Sequence, residues 1–287
     1  MTISRIQAMA KPYMDYDMIQ NHTDLPEFPE SRTTLLHLFL QAGGVEESNR
    51  DLYALVTSLV QVALDTHERI TESGGKEGSK QKLSLQLGVL AGDYFSSRFY
   101  HLLSQAGQIQ QIQQLAAAIC EVNRMKMDLY LSMKSRRLTP EDYLQQMVAI
   151  QMQLFLSFTP MLSKRHQQWW PELLLAFTRC DVLVSERLRM NSTLEFAGSW
   201  AYWQLLSKVN REEHSYLVAA QPEHLKVRAL IHKYELLSKM DDLLDTQLEL
   251  VKESIGQLDD TLLVEGLWPL LELYDRQWTG QALVKEW

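Results

Sequence analysis

With 287 residues, 46% of them hydrophobic and 22% charged, the chain can bury one large core or two small ones, which excludes an intrinsically disordered protein. A formal net charge of −8 argues against a nucleic-acid backbone or an anionic membrane surface as the main partner. Cys120 and Cys180 lie far apart in apolar contexts with no CxxC or Cys/His grouping, so neither a disulfide framework nor a zinc site is signalled, and a cytoplasmic location is expected.

In chain order, Met1 to Pro12 lacks a basic stretch followed by an apolar core, so no secretory signal is expected. Residues 1–30, with Pro26 and Pro29, read as an irregular arm, and residues 31–287 as a single all-helical domain. Glycine and proline are sparse while Leu, Gln, Glu, Met and Ala dominate, which is the composition of helices. Leu52, Leu55, Val56, Leu59 and Ala63 recur at helical spacing between Asp51 and Ile70 and place one stripe against a core. The segment Ser73–Lys82 breaks that pattern and reads as an exposed basic loop, in which Lys76, Lys80 and Lys82 could hold a diphosphate by charge.

A second helix is expected from Leu83 through Val89, Leu90, Tyr94, Phe95 and Phe99 until Gly107, and a third from Ile109 to Lys134. The quietest stretch, His101 to Cys120, is broken by glutamines, so no membrane span is expected. Thr139-Pro140-Glu141-Asp142 combines an N-cap residue, a proline at the first helical position and acids in the first turn, opening a helix that runs to about Phe158. Pro171 and Pro222 are expected to open later helices in the same way. The tryptophans at 169, 170, 200, 203 and 268 read mostly as core, while the tail with Trp278 and Trp287 is equally readable as an interface.

The string Val89-Leu90-Ala91-Gly92-Asp93-Tyr94-Phe95 is similar to the V-L-x-G-D-[FY]-L segment of the all-helical trans-prenyltransferases. Its neighbours agree in order: Ala63-Leu64-Asp65-Thr66-His67-Glu68 before a basic loop, and Leu138-Thr139-Pro140-Glu141-Asp142-Tyr143-Leu144 after it. The first two strings resemble component I of bacterial heptaprenyl diphosphate synthase in particular. The resemblance implies an all-α, isoprenoid-synthase-like helical bundle. It also implies a heterodimer with a DDxxD-bearing catalytic subunit, which would elongate farnesyl diphosphate with isopentenyl diphosphate to heptaprenyl diphosphate, the menaquinone side-chain precursor.

Catalytic members of that family carry DDxxD on two helices, because Mg²⁺ ions must bridge several carboxylates to the departing diphosphate. Here the first position reads Asp65-Thr66-His67-Glu68-Arg69-Ile70 and the second falls near Phe177-Thr178-Arg179-Cys180-Asp181-Val182. The family's Lys-Thr pair is replaced within Ile150-Gln151-Met152, and Gly43-Gly44-Val45-Glu46-Glu47 is acidic where the family is basic. The resemblance therefore implies a non-catalytic, regulatory subunit, without catalytic or metal residues or a cofactor of its own, and with Mg²⁺ on the partner. Asp65, His67, Gly92, Asp93, Tyr94 and Phe95 become candidates for the partner interface or the product tunnel.

Two rivals stand beside this reading. Asp241-Asp242-Leu243-Leu244-Asp245 is a literal DDxxD that a self-sufficient terpenoid synthase could use, although a solvated acidic helix face accounts for it as well. A helical adaptor unrelated to isoprenoids is the other.

Overall fold

The structure, a computed structural model, describes residues 2–21, 23, 25–72, 79–136, 138–217 and 224–283, and among these no strand occurs. The first half contains α1 (Thr2–Met14), α2 (Asp17–Gln20), α3 (Glu30–Ala42), α4 (Glu47–Glu72), α5 (Ser79–Gln105), α6 (Ile109–Lys134) and α7 (Pro140–Leu156). After a 3₁₀ turn at Thr159–Met161 come α8 (His166–Arg189), α9 (Thr193–Phe196), α10 (Trp200–Leu206) and α11 (Arg211–Leu217). The chain then forms α12 (His224–Lys233), α13 (Leu236–Gly256) and α14 (Thr261–Leu283).

Local chemistry sets several of these boundaries. The Thr139 hydroxyl accepts the Asp142 backbone N–H at 3.0 Å and lies 2.7 Å from Asp142 Oδ2, which fixes the start of α7 where the sequence predicts it. Gly107, at φ +70°, closes α5: the Gln108 N–H returns to the Leu103 carbonyl at 2.8 Å, a turn that needs a residue tolerant of the left-handed region. Pro171 does not open a helix. It lies inside α8, which starts earlier because Ser163 caps it, its hydroxyl accepting from the His166 N–H and its carbonyl from the Gln167 N–H. The expected start at Pro222 lies outside the described residues. Likewise α5 begins at Ser79, before the expected Leu83, since Lys and Gln are good helix formers.

The chain divides into two compact units. The first comprises Met1–Cys120, Leu154–Pro171 and Asp260–Leu270. Its centre is α3 and α4. Ser31 through Leu40 are buried without interruption, and α4 buries Thr57, Ser58 and Thr66 together with Leu55, Val56, Leu59 and Val62. The sequence predicts for α4 a helix apolar on one stripe, whereas most of its circumference is enclosed. Its buried hydroxyls are satisfied within the helix: Thr57 donates to the Tyr53 carbonyl at 2.7 Å and Thr66 to the Val62 carbonyl at 2.6 Å.

The N-terminal residues are not an irregular arm. Ile6, Met9, Ala10 and Tyr13 follow helical spacing, and α1 buries Ile6 and Ala10 in one core cluster with Ala54, Leu55, Ala63 and Phe95. Burial of the isoleucine is worth about 2–3 kcal/mol towards docking the helix. Arg5 pins the same helix by ion pairs to Glu47 and Asp51, and Asp51 also bonds His37 at 2.9 Å. Burial lowers the His37 pKa from its ordinary value despite Asp51.

The second unit comprises Glu121–Gln153, Glu172–Asp259 and Leu271–Trp287. It is organised around a buried carboxylate, Glu186, which accepts from the Tyr143 hydroxyl and Arg189 Nη1, both at 2.8 Å, and from the Trp200 backbone N–H at 2.6 Å. The last bond caps α10, so one charged side chain ties α7, α8 and α10 together. Burial, then Glu186, pushes the Tyr143 phenol well above its ordinary pKa, so it stays a donor.

Candidate functional site

Within the first unit, α4 and α5 bring the first acidic position beside the Gly-Asp segment. Asp65 accepts from Gln61 Nε2, one turn back on its own helix, at 2.9 and 3.0 Å. His67 reaches across to α5, its Nε2 lying 3.5 Å from Asp93 Oδ1. The ring occupies the place where a side chain at Gly92 would begin, since a Cβ there would fall 2.6 Å from the imidazole. Glycine at 92 therefore makes room for His67, and Asp93 holds it from the next position. Arg69 turns away to the Leu25 carbonyl at 3.2 Å.

The rest of the segment divides between core and surface. Phe95 is fully buried in the first unit's core, which removes it from the surface available to a partner; the physical reason is that it shares the inward face of α5 with Ala91. Tyr94 is half-buried, with its ring 6.3 Å from Tyr16 and the Arg98 guanidinium 4.6 Å above it. Farther round α5, Leu83, Val89, Leu90 (61% exposed) and Tyr100 (60% exposed) remain open, as does Ile109 on α6. Lys76 lies outside the described residues, and Lys80 and Lys82 are described only as backbone within α5, not within a loop. Trp287 lies outside the described residues, as does the Trp278 side chain.

Within the second unit, Asp181 is the acid left at the second position. It receives a hydrogen bond from the Tyr274 hydroxyl, and the Tyr274 ring packs 6.3 Å from Phe177. Thr178 and Cys180 beside it are buried, and burial raises the thiol far above its ordinary pKa. Asp65 and Asp181 are thus each already bonded within the chain, and Arg69 and Arg179 stand where further acids would be needed, a donor set that does not fit a Mg²⁺ cluster. Among the described residues no three His, Cys, Asp or Glu side chains gather in a way that could hold a metal.

The literal DDxxD on α13 is only partly a solvated face. Asp242 and Asp245 are exposed, but Asp241 bonds the buried Arg187 of α8, with Nε to Oδ1 at 2.9 Å. The motif therefore includes a strut between two helices. In the first unit, Ser163, His166 and Asp260 form a linear trio, with the serine 3.1 Å from Nδ1 and the aspartate 3.1 Å from Nε2. Its outer members each cap a helix, Ser163 at α8 and Asp260 at α14 through the Leu263 N–H, so the histidine clamps two helix starts together. Burial alone would raise the Asp260 carboxyl, but the Leu263 N–H and His166 outweigh it and hold it below its ordinary pKa. Neither strut nor trio is legible in the sequence, because Arg187 lies 54 residues from Asp241 and His166 lies 94 from Asp260.

All-helical architecture of this kind is that of the isoprenoid synthases. The chain is similar to a geranylgeranyl pyrophosphate synthase from Lactobacillus brevis, with a TM-score of 0.70 and 14% identity over 95% of this chain and 97% of that one. A decaprenyl diphosphate synthase from Rhodobacter capsulatus matches at a TM-score of 0.65, also with 14% identity over 95% and 97% of the two chains. Residues 16–235 match the family described as heptaprenyl diphosphate synthase (HEPPP synthase) subunit 1, and the chain belongs to that family. It is also 38% identical over 84 residues to heptaprenyl diphosphate synthase component 1 of Geobacillus stearothermophilus, a match spanning 29% of this chain and 35% of that relative.

Proposed function

We propose that the chain is the regulatory, non-catalytic subunit of a heptaprenyl diphosphate synthase. It pairs with a DDxxD-bearing catalytic subunit in the cytoplasm, and the pair condenses farnesyl diphosphate with isopentenyl diphosphate to the prenyl precursor of menaquinone. Mg²⁺ belongs to the partner. The observation that carries the reading is the state of the two acidic positions: Asp65 is bonded by Gln61 and Asp181 by Tyr274, so neither presents the clustered carboxylates that diphosphate departure requires. The α13 motif gives little support to a self-sufficient synthase, because Asp241 is committed to Arg187.

The partner surface we assign is the open apolar face of α5, with Leu83, Val89, Leu90 and Tyr100. Large exposed apolar side chains gathered on one helix are costly to leave in water and suit the centre of a stable subunit interface. The test is an assay of the purified chain with Mg²⁺ and both substrates, alone and mixed with a catalytic subunit. The expected result is long-chain product only from the mixture. Turnover by the chain alone, at a rate comparable with the mixture, refutes the reading.

A further inference from the structure

Helix α5 carries an arginine that its own chain holds by aromatic rings alone. Leu90, Tyr94 and Arg98 stand one turn apart along one edge of the open face of α5. The Arg98 guanidinium lies 4.6 Å above the Tyr94 ring and 5.9 Å from the ring centre of Tyr13 on α1. Tyr16, which precedes α2, adds a third ring 6.3 Å from that of Tyr94. Tyr16 and Met18 are both largely exposed, so the open surface continues from α5 onto α2.

Ring faces attract a guanidinium but offer its N–H groups no acceptor of carboxylate strength. The buried Arg98 Nε has no hydrogen-bond partner, and among the described residues no carboxylate forms an ion pair with the side chain. Acids outnumber bases in the chain, 36 to 28, so this is not for want of acids. Of those on the neighbouring elements, Asp15 pairs with Lys11 at 3.7 Å, Asp93 lies 3.5 Å from His67 Nε2, and the exposed Asp17 forms no ion pair with Arg98. Nearby cations are committed elsewhere, Arg5 to Glu47 and Asp51 and Arg69 to the Leu25 carbonyl. A single planar cation suits one carboxylate, taken by two parallel N–H groups, better than a polyphosphate, which calls for several cations.

We propose that the partner-facing surface extends from α5 onto α2, and that Arg98 within it receives an aspartate or glutamate carboxylate of the catalytic subunit. Tyrosine and arginine are enriched where interface energy concentrates. The rings hold the guanidinium in place before the partner arrives, so little side-chain freedom is lost on pairing. Closure of the partner over Leu90 and Tyr16 excludes water from the pair and strengthens it. The assignment rests on the subunit pairing proposed above.

Titration calorimetry of the purified chain with the catalytic subunit of the same organism tests the pair. Arg98→Gln is expected to raise Kd about 30-fold or more, and Arg98→Glu, which sets like charges together, to raise it further. Lys164→Gln, at an exposed cation away from α2 and α5, should leave Kd unchanged. Raising the salt from about 0.05 M to about 0.5 M should weaken the unaltered pair several-fold more than it weakens the Arg98→Gln pair, because a screened charge is what the variant lacks. Phenylglyoxal labelling of the unaltered chain, read by mass spectrometry, should be several-fold slower at Arg98 in the complex than in the chain alone. Unchanged binding by a folded Arg98→Gln chain, or no protection of Arg98 in a complex that forms, overturns the ion pair and leaves the subunit pairing intact. Failure of the unaltered chain to bind refutes the pairing as well. Because labelling is read on the unaltered chain, the outcome is decisive even where a variant folds poorly.

Discussion

Asp65 and Asp181, at the two positions aligned with the family's acidic motifs, are held in different ways. At the first, Asp65 is held by Gln61 from the same helix, a local bond of the kind that contributes a few tenths of a kcal/mol on an exposed helix. At the second, Asp181 is held by Tyr274, 93 residues away in sequence, whose ring packs against Phe177. One acid is tied off by its neighbour, the other is built into tertiary packing. An acid held locally leaves its surface adaptable, an acid held by a distant residue is part of the fold, and each arrangement has its own mutational signature.

The largest effects are expected where the first position's surroundings are core. Phe95→Asp places an unpaired charge among Ile6, Ala54, Leu59 and Ala91, and we expect a loss of more than about 4 kcal/mol, seen as collapse of the helical circular dichroism signal. Leu90→Asp on the open face of the same helix should leave thermal stability within about 0.5 kcal/mol and act instead on association, abolishing co-elution with a catalytic subunit. A folded Phe95→Asp chain would refute the placement of that side chain.

The α13 motif comes next. Asp241→Ala removes a carboxylate partner of the buried Arg187 and should cost about 2–3 kcal/mol, below the range for fully buried pairs because the carboxylate itself is partly exposed. Asp245→Ala, on the exposed side, should cost less than about 0.5 kcal/mol. Equal effects in chemical denaturation would show that the strut is not what holds the motif.

Smaller again is Gly92→Ala. The added methyl meets the His67 ring, so we expect about 1–2 kcal/mol of overpacking. His67→Ala should return most of that loss in a double-mutant cycle, because it removes the atoms that clash. Additivity of the two changes would mean that His67 does not occupy the space beside Gly92.

What the sequence made legible was local. Thr139 and Asp142 marked the start of α7, and Gly107 the end of α5, because capping chemistry is written in adjacent residues. Helix α1 was masked by Pro12, Pro26 and Pro29, although Ile6, Met9, Ala10 and Tyr13 already carried a helical stripe. At the candidate site, the Gly92-Asp93 pair was recognisable but its use was not: the His67 ring that needs the glycine comes from another helix. A motif records identity and not direction, so Phe95 reads from the sequence as a candidate for the partner interface or the tunnel; its spacing from Ala91 is the sign that it points into the core. Arg187 with Asp241, and Tyr274 with Asp181, are long-range pairs that no spacing rule reveals.

The contrast between the two acidic positions is sharpened by the smallest pair of changes. Tyr274→Phe removes only the hydroxyl, which bonds Asp181 and also reaches the Phe177 carbonyl at 3.4 Å, and preserves the ring beside Phe177, so its cost reports those bonds, chiefly the one to the charged acceptor, about 1–2 kcal/mol. Asp65→Ala removes the acceptor of Gln61 but gains helix propensity, and the two terms, each about 0.5 kcal/mol, nearly cancel. Urea unfolding of both variants beside the unaltered chain measures the difference. Tyr274→Phe should lower the midpoint with an unchanged slope, which is the mark of lost stability and not of a changed unfolded state, while Asp65→Ala should superimpose on the parent curve. The reverse order would place the structural weight on the first acidic position and make the second the adaptable one.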